Sequence, residues 1–167
     1  FKNYDEYRNF FLMYLDDVEN ELIDLINKLN NDKNVTGIIL QSPIPAHLDF
    51  DKCSSLIDSN KDVDGFTLTN VYNLYLNKKS ILPCTVKGII KLLEHYNIPI
   101  EGANIVIVGR GNIVGKPLAL ALENRNATVT LCHSKTKNLI NYTKQADILV
   151  AAAGSPNLIK KDMIKKN

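Results

Sequence analysis

The sequence predicts an α/β fold, in which parallel strands alternate with helices. The strongest indication is the run of four β-branched residues at 105–108, typical of a strand buried on both faces of a parallel sheet. A glycine turn over 109–115 and an apolar stretch over 118–122 follow, in the order of a nucleotide-binding unit. An apolar helical stripe over 18–29, followed by an apolar run over 37–41, extends the α/β pattern to the first half of the chain.

Composition narrows the class of protein. The 167 residues are 45% apolar, which is typical of a globular chain, and the net charge of +2 comes from interspersed acids and bases. This charge pattern contains no basic patch of the kind that binds nucleic acid. No apolar run approaches the roughly 20 residues that a transmembrane helix needs to span a bilayer. The three cysteines form no C-x-x-C pair, so we expect no metal site and a cytoplasmic location. Because the chain begins with Phe1 rather than Met, we expect it to be part of a longer protein.

The first half is predicted to contain two strands and two helices. An aromatic-rich segment over 9–15 predicts a strand, and Asp16 and Asp17 are expected to cap the next helix. A buried strand is expected over 37–41, and a short helix over about 51–58. The apolar stripe of the first helix consists of Val18, Leu22, Leu25, Ile26 and Leu29.

The second half begins with a helix that Thr85 is expected to cap. The predicted buried face of that helix consists of Ile89, Ile90, Leu93 and Tyr96. Beyond the strand that begins at Ile105, the pattern predicts a strand over 127–132, a helix over about 136–145 and a strand over 148–152.

The glycine turn has the spacing G-x-G-x-x-x-G, one residue longer than the usual dinucleotide fingerprint. Gly109 and Gly111 would bring bare backbone close to a phosphate, and the following helix would offer its N-terminal N–H groups. Since glycine turns after strands are common, the spacing alone leaves a plain turn and a nucleotide site equally open.

The end of the next strand bears on the choice of cofactor. An NAD site usually has an acid at this position, but the sequence here is Cys-His-Ser-Lys over 132–135. Ser134, Lys135 and Arg110 could instead bind a 2′-phosphate, which favours NADP. The alternative is that Ser134 merely caps a helix.

Three polar side chains in the first half could carry chemistry. Gln41 ends a predicted strand, at the edge where open α/β sheets bind ligands, and it could orient a substrate or bond to its own turn. Asp62 and Asp64 lie one residue apart, which could indicate acid/base work or a metal. Nothing nearby supplies further ligands, so the spacing alone favours a turn.

Six segments together resemble the bifunctional methylenetetrahydrofolate dehydrogenase/cyclohydrolases. They are LQSPIPAHL, KDVDGF, PCTVKGIIKLL, GRGNIVGKPLA, ATVTLCHSKTKNL and ADILVAAAGSP, in the family's order and spacing. The resemblance implies two α/β domains with an interdomain cleft, the second a Rossmann-type NADP-binding domain, in a homodimer. On this chain we expect a folate-binding catalytic domain over 1–85, a connecting helix over 86–97 and the NADP-binding domain over 98–167.

The resemblance also implies an activity. Such enzymes oxidise 5,10-methylenetetrahydrofolate to the methenyl form with NADP and hydrolyse it to 10-formyltetrahydrofolate, a one-carbon metabolite of purine biosynthesis. By the same resemblance, Gln41 and Asp64 would be catalytic, with Asp64 holding the pterin. The expected substrate-binding residues are Leu40, Gln41, Ser42, Asp64 and Thr85. The expected cofactor-binding residues are Gly109, Arg110, Gly111 and Ser134.

The sequence departs from the family pattern at several places. Gly111 stands where many members have Ser, Val86 where Pro is frequent, and Ser42 where an apolar residue is usual. The family's catalytic lysine is expected upstream of the match, with Lys2 following it, and the C-terminal folate loop lies outside this sequence. The alternatives are a folate- or nucleotide-binding protein without catalysis, and another two-domain dehydrogenase acting on shikimate or amino acids.

Overall fold

The computed structural model describes residues 4–166, and side chains from residue 18 onward. The chain divides into two compact units between Asn70 and Val71. The helices are α1 (Tyr4–Asn31), α2 (Phe50–Ser55), α3 (Leu68–Tyr75), α4 (Cys84–His95), α5 (Gly115–Glu123) and α6 (Leu139–Thr143). The strands are β1 (Asn104–Val108), β2 (Thr128–Cys132) and β3 (Ile148–Ala151), and a 3₁₀ turn covers Lys161–Met163.

The second unit is built on a parallel sheet with the strand order β2-β1-β3. Val108, the last residue of β1, pairs with Cys132 of β2 and with Ala151 of β3. All three strands therefore end at the same edge of the sheet. This confirms the predicted strand–helix–strand order of the nucleotide-binding half, with strand bounds within one residue of those expected.

β1 is buried on both faces, as its β-branched sequence predicts. Ile105 and Ile107 pack in one core cluster with α4 and α5. Val106 and Val108 pack in another, on the side of Cys132 and the segment around α6. A central strand covered on both faces is the expected consequence of helical crossovers between parallel strands.

Helix α4 begins two residues earlier than the Thr85 cap predicts. Pro83 is the N-cap, no side chain caps the helix, and Thr85 lies exposed in its first turn. The buried stripe is Val86, Ile90 and Leu93, whereas Tyr96 is 67% exposed. The predicted buried face was therefore wrong at Tyr96, because the spacing i, i+4, i+7 that packs on the sheet starts from Val86.

The first unit has a small core of its own. Ile26 of α1 packs with Ile38, Cys53 and Ile57, all less than a tenth exposed. Leu22 and Leu29 pack at the edge of this cluster, as the predicted stripe requires, but Leu25 is 50% exposed.

The predicted strand over 9–15 is wrong, because these residues belong to the continuous helix α1. Asp16 and Asp17 consequently lie inside the helix and do not cap it. A short apolar run has no periodicity that separates a strand from a buried helix, so the aromatic content misled the prediction.

The predicted strand over 37–41 is also wrong. In the described part of the first unit, Ile38 forms only an isolated parallel bridge with Asp62. The Ile38 N–H donates to the Lys61 carbonyl over 2.7 Å. A strand requires a partner strand that pairs with it over several consecutive residues, but the segment around Asp62 pairs with this one at a single residue.

The remaining differences concern helix ends. The helix predicted over 51–58 ends at Ser55, and the helix predicted over 136–145 covers only Leu139–Thr143. Helix α3 was not predicted, although Leu68, Val71, Tyr72 and Tyr75 recur at helical spacing; all four are exposed in the structure. Among the described helices, none has the length and apolarity required to cross a membrane.

Candidate functional site

Gly109 lies where the ends of the three strands meet. Its N–H donates to the Cys132 carbonyl at the end of β2 over 2.9 Å. A Cβ at this position would overlap the Ala152 carbonyl, which directly follows β3. The φ of Gly109 is 126°, in the region that favours glycine. β2 and β3 lie on opposite sides of β1. In open α/β sheets, ligands bind at the carboxyl ends of the strands where the strand order changes direction in this way.

The loop after Gly109 folds back closely before it enters α5. A Cβ at Gly115 would overlap the Gly109 carbonyl, so both glycines are sterically required. The Lys116 N–H donates to the Gly111 carbonyl over 3.1 Å and closes the loop. Val114, the N-cap of α5, makes no side-chain cap hydrogen bond. Bare backbone and an uncapped helix start fit the phosphates of a dinucleotide.

The two residues between these glycines that were predicted to bind cofactor are open to solvent. Arg110 and Gly111 are both exposed, and a Cβ at Gly111 would meet no atom within 4 Å. Unlike Gly109 and Gly115, Gly111 is therefore not required by packing.

The turn after β2 presents Ser134 at the same edge of the sheet. The His133 N–H donates to the Thr136 hydroxyl over 2.9 Å, and the Lys135 N–H donates to His133 Nδ1 over 3.2 Å. Ser134 is exposed, and α6 starts at Leu139 with Asn138 as its N-cap. The alternative role of Ser134 as a helix cap is therefore wrong.

Cys132 closes the strand beneath this turn. Burial raises the pKa of its thiol, and a hydrogen bond with Thr136 opposes the shift without cancelling it. The thiol therefore stays protonated and acts as a packing group below the turn.

Asp62 organises the loop of the first unit. Its side chain is 2% exposed and accepts five hydrogen bonds, from Asp64, Gly65, Thr67 and Asn70. Burial raises the pKa of this carboxyl, but the hydrogen bonds from Thr67, Asn70 and Gly65 outweigh it and hold the pKa below its ordinary value. Asp62 is therefore an ionised, internal acceptor.

Asp64, two residues later, has a different environment. Its side chain is half-buried, and its own N–H is one of the donors to Asp62. The two aspartates therefore differ in role. Asp62 is buried and fixes the shape of the loop, whereas the Asp64 carboxylate is more accessible to solvent.

Lys61 holds the other side of this loop. Its Nζ donates to the carbonyls of Leu29, Asn30 and Asp32, at 2.8, 2.6 and 2.8 Å. The ammonium group thereby uses all three of its donors on the C-terminal end of α1, where the helix dipole favours a cation.

Gln41 and Asp64 each follow one side of the same bridge. Gln41 lies three residues after Ile38, and Asp64 lies two residues after Asp62, the partner of Ile38 in that parallel bridge. The exposed Gln41 amide donates to the Ser42 carbonyl over 3.0 Å, which is the bond to its own turn that the sequence left open. Leu40 packs at the edge of the first core, and Ser42 is half-buried.

The remaining predicted residues lie elsewhere. Thr85 belongs to the second unit, on the first turn of α4, and Lys2 lies outside the described residues. Sequence reasoning missed the structural roles of Asp62, Lys61 and Thr136. An Asp followed by Gly at i+3 and Thr at i+5 is the signal that could have identified Asp62. Among the residues whose side chains the structure describes, no three His, Cys, Asp or Glu side chains form a group that could hold a metal ion.

The parallel sheet, its glycine loop and the helix after it define a nucleotide-binding α/β protein. The family model of the tetrahydrofolate dehydrogenase/cyclohydrolase catalytic domain matches residues 9–64, and that of the NAD(P)-binding domain matches residues 83–167. The chain belongs to the tetrahydrofolate dehydrogenase/cyclohydrolase family.

Individual relatives agree with the family assignment. The chain is 55% identical over 148 residues to the bifunctional protein FolD of Clostridium novyi, covering 89% of this chain and 53% of that protein. The crystal structure of the bifunctional FolD enzyme of Campylobacter jejuni superposes with a TM-score of 0.86 at 49% identity, covering 89% of this chain and 53% of that one. The Trypanosoma brucei enzyme, solved with NADP and an inhibitor, gives 0.83 at 34% identity, with 88% and 51% covered. The chain thus spans about half the length of the relatives it matches.

Proposed function

We propose that the protein oxidises 5,10-methylenetetrahydrofolate with NADP and hydrolyses the methenyl product to 10-formyltetrahydrofolate. The observation that carries this proposal is the match of both halves of the chain to the two domains of one folate enzyme family. The glycine loop at the strand ends provides the cofactor site that the first reaction needs.

Gly109, Arg110, Gly111 and Ser134 are the residues proposed to hold NADP. The backbone of the glycine loop would receive the pyrophosphate, and the exposed Arg110 and Ser134 would receive the 2′-phosphate. The turn after β2 contains no carboxylate that would accept a ribose 2′-hydroxyl, so the site favours NADP over NAD. The bound nicotinamide supplies the hydride acceptor of the oxidation.

Asp64 is the residue proposed to hold the pterin ring. A carboxylate can accept two parallel N–H bonds from the pterin N3–H and 2-amino group, and this fixes the orientation of the ring. Gln41 is proposed to hold and activate the one-carbon centre beside the family's catalytic lysine, and water then attacks the methenyl cation. Leu40, Ser42 and Thr85 complete the proposed substrate site.

The organisation of the whole protein is proposed on the same basis. We propose domains over 1–85 and 98–167 joined by a helix over 86–97, a homodimer, and a cytoplasmic role in supplying one-carbon units for purine biosynthesis. Cys53, Cys84 and Cys132 form no disulfide with one another, which agrees with a reducing compartment.

Turnover by the natural full-length protein tests the proposal. With 5,10-methylenetetrahydrofolate and NADP, we expect NADPH and 10-formyltetrahydrofolate to form in equal amounts, with methenyltetrahydrofolate as a transient. Binding of both ligands without NADPH formation would support the binding-only alternative. Turnover of shikimate or an amino acid instead would support the other dehydrogenase class.

A further inference from the structure

We propose that Asp62 is a positioning residue that holds Asp64 in place for the pterin ring. This inference rests on the proposed function, because it assigns Asp64 to folate binding. Asp62 itself is 2% exposed, so it acts on the substrate only through the loop that it organises.

Each oxygen of the Asp62 carboxylate has a separate task. Oδ1 accepts the N–H groups of Asp64 and Gly65 at 3.1 and 2.7 Å, and so holds the segment that carries the pterin ligand. Oδ2 accepts the Thr67 N–H at 2.9 Å, the Thr67 hydroxyl at 2.7 Å and the Asn70 amide at 2.8 Å. One carboxylate therefore ties the backbone at Asp64 to the beginning of α3.

All of these partners are donors, so the position requires an acceptor on both sides. An Asn at this site would have nearly the same shape but would turn an NH₂ group towards either the Oδ1 or the Oδ2 donors. At least two hydrogen bonds would be lost inside a buried site. Asp62→Asn therefore loosens the loop while leaving the Asp64 side chain chemically intact.

A loose loop weakens substrate binding for a physical reason. The two N–H bonds to the pterin require the Asp64 carboxylate in one orientation, and ordering a mobile loop on binding reduces affinity. Binding of NADP depends on the other unit of the chain and should not change. This separates a positioning role from a general loss of structure.

The test is a double-mutant cycle on the full-length protein, using Asp62→Asn, Asp64→Ala and the combination. The matched control is Asp58→Asn, because exposed Asp58 also accepts the N–H of the residue two positions later, Asn60, at 2.9 Å. We expect Asp62→Asn to raise the KM for 5,10-methylenetetrahydrofolate about tenfold or more, the effect of losing two hydrogen bonds. The KM for NADP should stay within about twofold. The double variant should be no worse than Asp64→Ala alone, because Asp62 acts through Asp64.

Several results would overturn the inference. One is a folate KM for Asp62→Asn equal to that of Asp58→Asn, and another is a double variant whose losses multiply. If Asp62→Asn does not fold, Thr67→Val removes one donor and keeps the shape, with an expected rise in folate KM of about fivefold. An unchanged KM in Thr67→Val would then overturn the inference. Absence of folate turnover in the unaltered protein would overturn the proposed function as well. If Asp64→Ala raises the folate KM but Asp62→Asn leaves it unchanged, the inference alone is overturned.

Discussion

At the residue scale, the difference between Asp62 and Asp64 comes from burial and hydrogen bonding. Both are aspartates of one short loop, but Asp62 accepts five internal hydrogen bonds whereas Asp64 is more accessible. The sequence places the two carboxylates together and cannot distinguish them, because the partners Thr67 and Asn70 are recruited only when α3 forms.

The lowered pKa of Asp62 makes stability dependent on pH. A carboxyl whose pKa is lower in the folded state stabilises the fold above its unfolded value, near 3.8, and loses this effect as the pH falls through the folded value. Below about pH 4, we expect the free energy of unfolding of the unaltered protein to decrease as the pH is lowered. In Asp62→Asn this decrease should be less steep. Urea unfolding between pH 7 and pH 3 measures both. An Asp62→Asn variant with the same pH slope as the unaltered protein would show that Asp62 is not the titrating group.

In the proposed site, Ser134 is one of two residues expected to contact the 2′-phosphate of NADP, together with Arg110. Ser134→Ala should weaken NADP binding by about 1–3 kcal/mol, because a contact with the doubly charged 2′-phosphate is lost, and leave NAD binding nearly unchanged. Titration of both cofactors into the same variant measures the difference. Ser55→Ala is the control, since the Ser55 hydroxyl caps the end of α2 in the first unit. An equal loss for the two cofactors would contradict the 2′-phosphate assignment.

At the element scale, the glycine loop contains two glycines required by packing and one that is not. Gly109→Ala and Gly115→Ala each place a Cβ onto backbone, so each should lower the free energy of unfolding by about 2 kcal/mol or more. Gly111→Ser should fold normally, because its Cβ would meet open space, and the added hydroxyl should retain or strengthen NADP binding. Thermal unfolding and cofactor titration of the three variants provide the comparison. Strong destabilisation by Gly111→Ser would contradict the loop geometry.

Lys61 connects the end of α1 to the loop that carries Asp62. Lys61→Met keeps the aliphatic stem but removes the hydrogen bonds to the carbonyls of Leu29, Asn30 and Asp32, so it should cost about 1.5–3 kcal/mol of stability. Lys33→Met is the matched control, because Lys33 is an exposed lysine in the turn that follows α1, next to Asp32. Chemical denaturation of the two variants gives the comparison. Equal stabilities would show that the three hydrogen bonds contribute nothing measurable.

The sequence predicts the two units unequally well. The β-branched run at 105–108 packs against α4 and α5 in one core cluster and against the segment around α6 in another, so local pattern and packing agree there. The segment over 37–41 has the same local pattern but obtains only the single bridge at Ile38. Whether an apolar run becomes a strand depends on a neighbour elsewhere in the chain, which local pattern does not contain.

At the scale of the whole molecule, the site residues are distributed over two compact units. Gln41 and Asp64 belong to the first unit, whereas the glycine loop and Ser134 belong to the second. The sequence motifs predict both groups of residues. The hydrogen bonds of Asp62, Lys61 and Thr136 that hold the loops carrying these residues can be recognised only from the structure.

We propose that one unit of the chain binds folate and that the other binds NADP. Calorimetric titration of the full-length protein with NADP and with tetrahydrofolate tests it most directly, for the unaltered protein, Arg110→Ala and Asp64→Ala. We expect Arg110→Ala to weaken NADP about 10- to 100-fold with tetrahydrofolate unchanged, and Asp64→Ala to do the reverse. Loss of the same ligand in both variants, or binding of neither ligand by the unaltered protein, would contradict the claim.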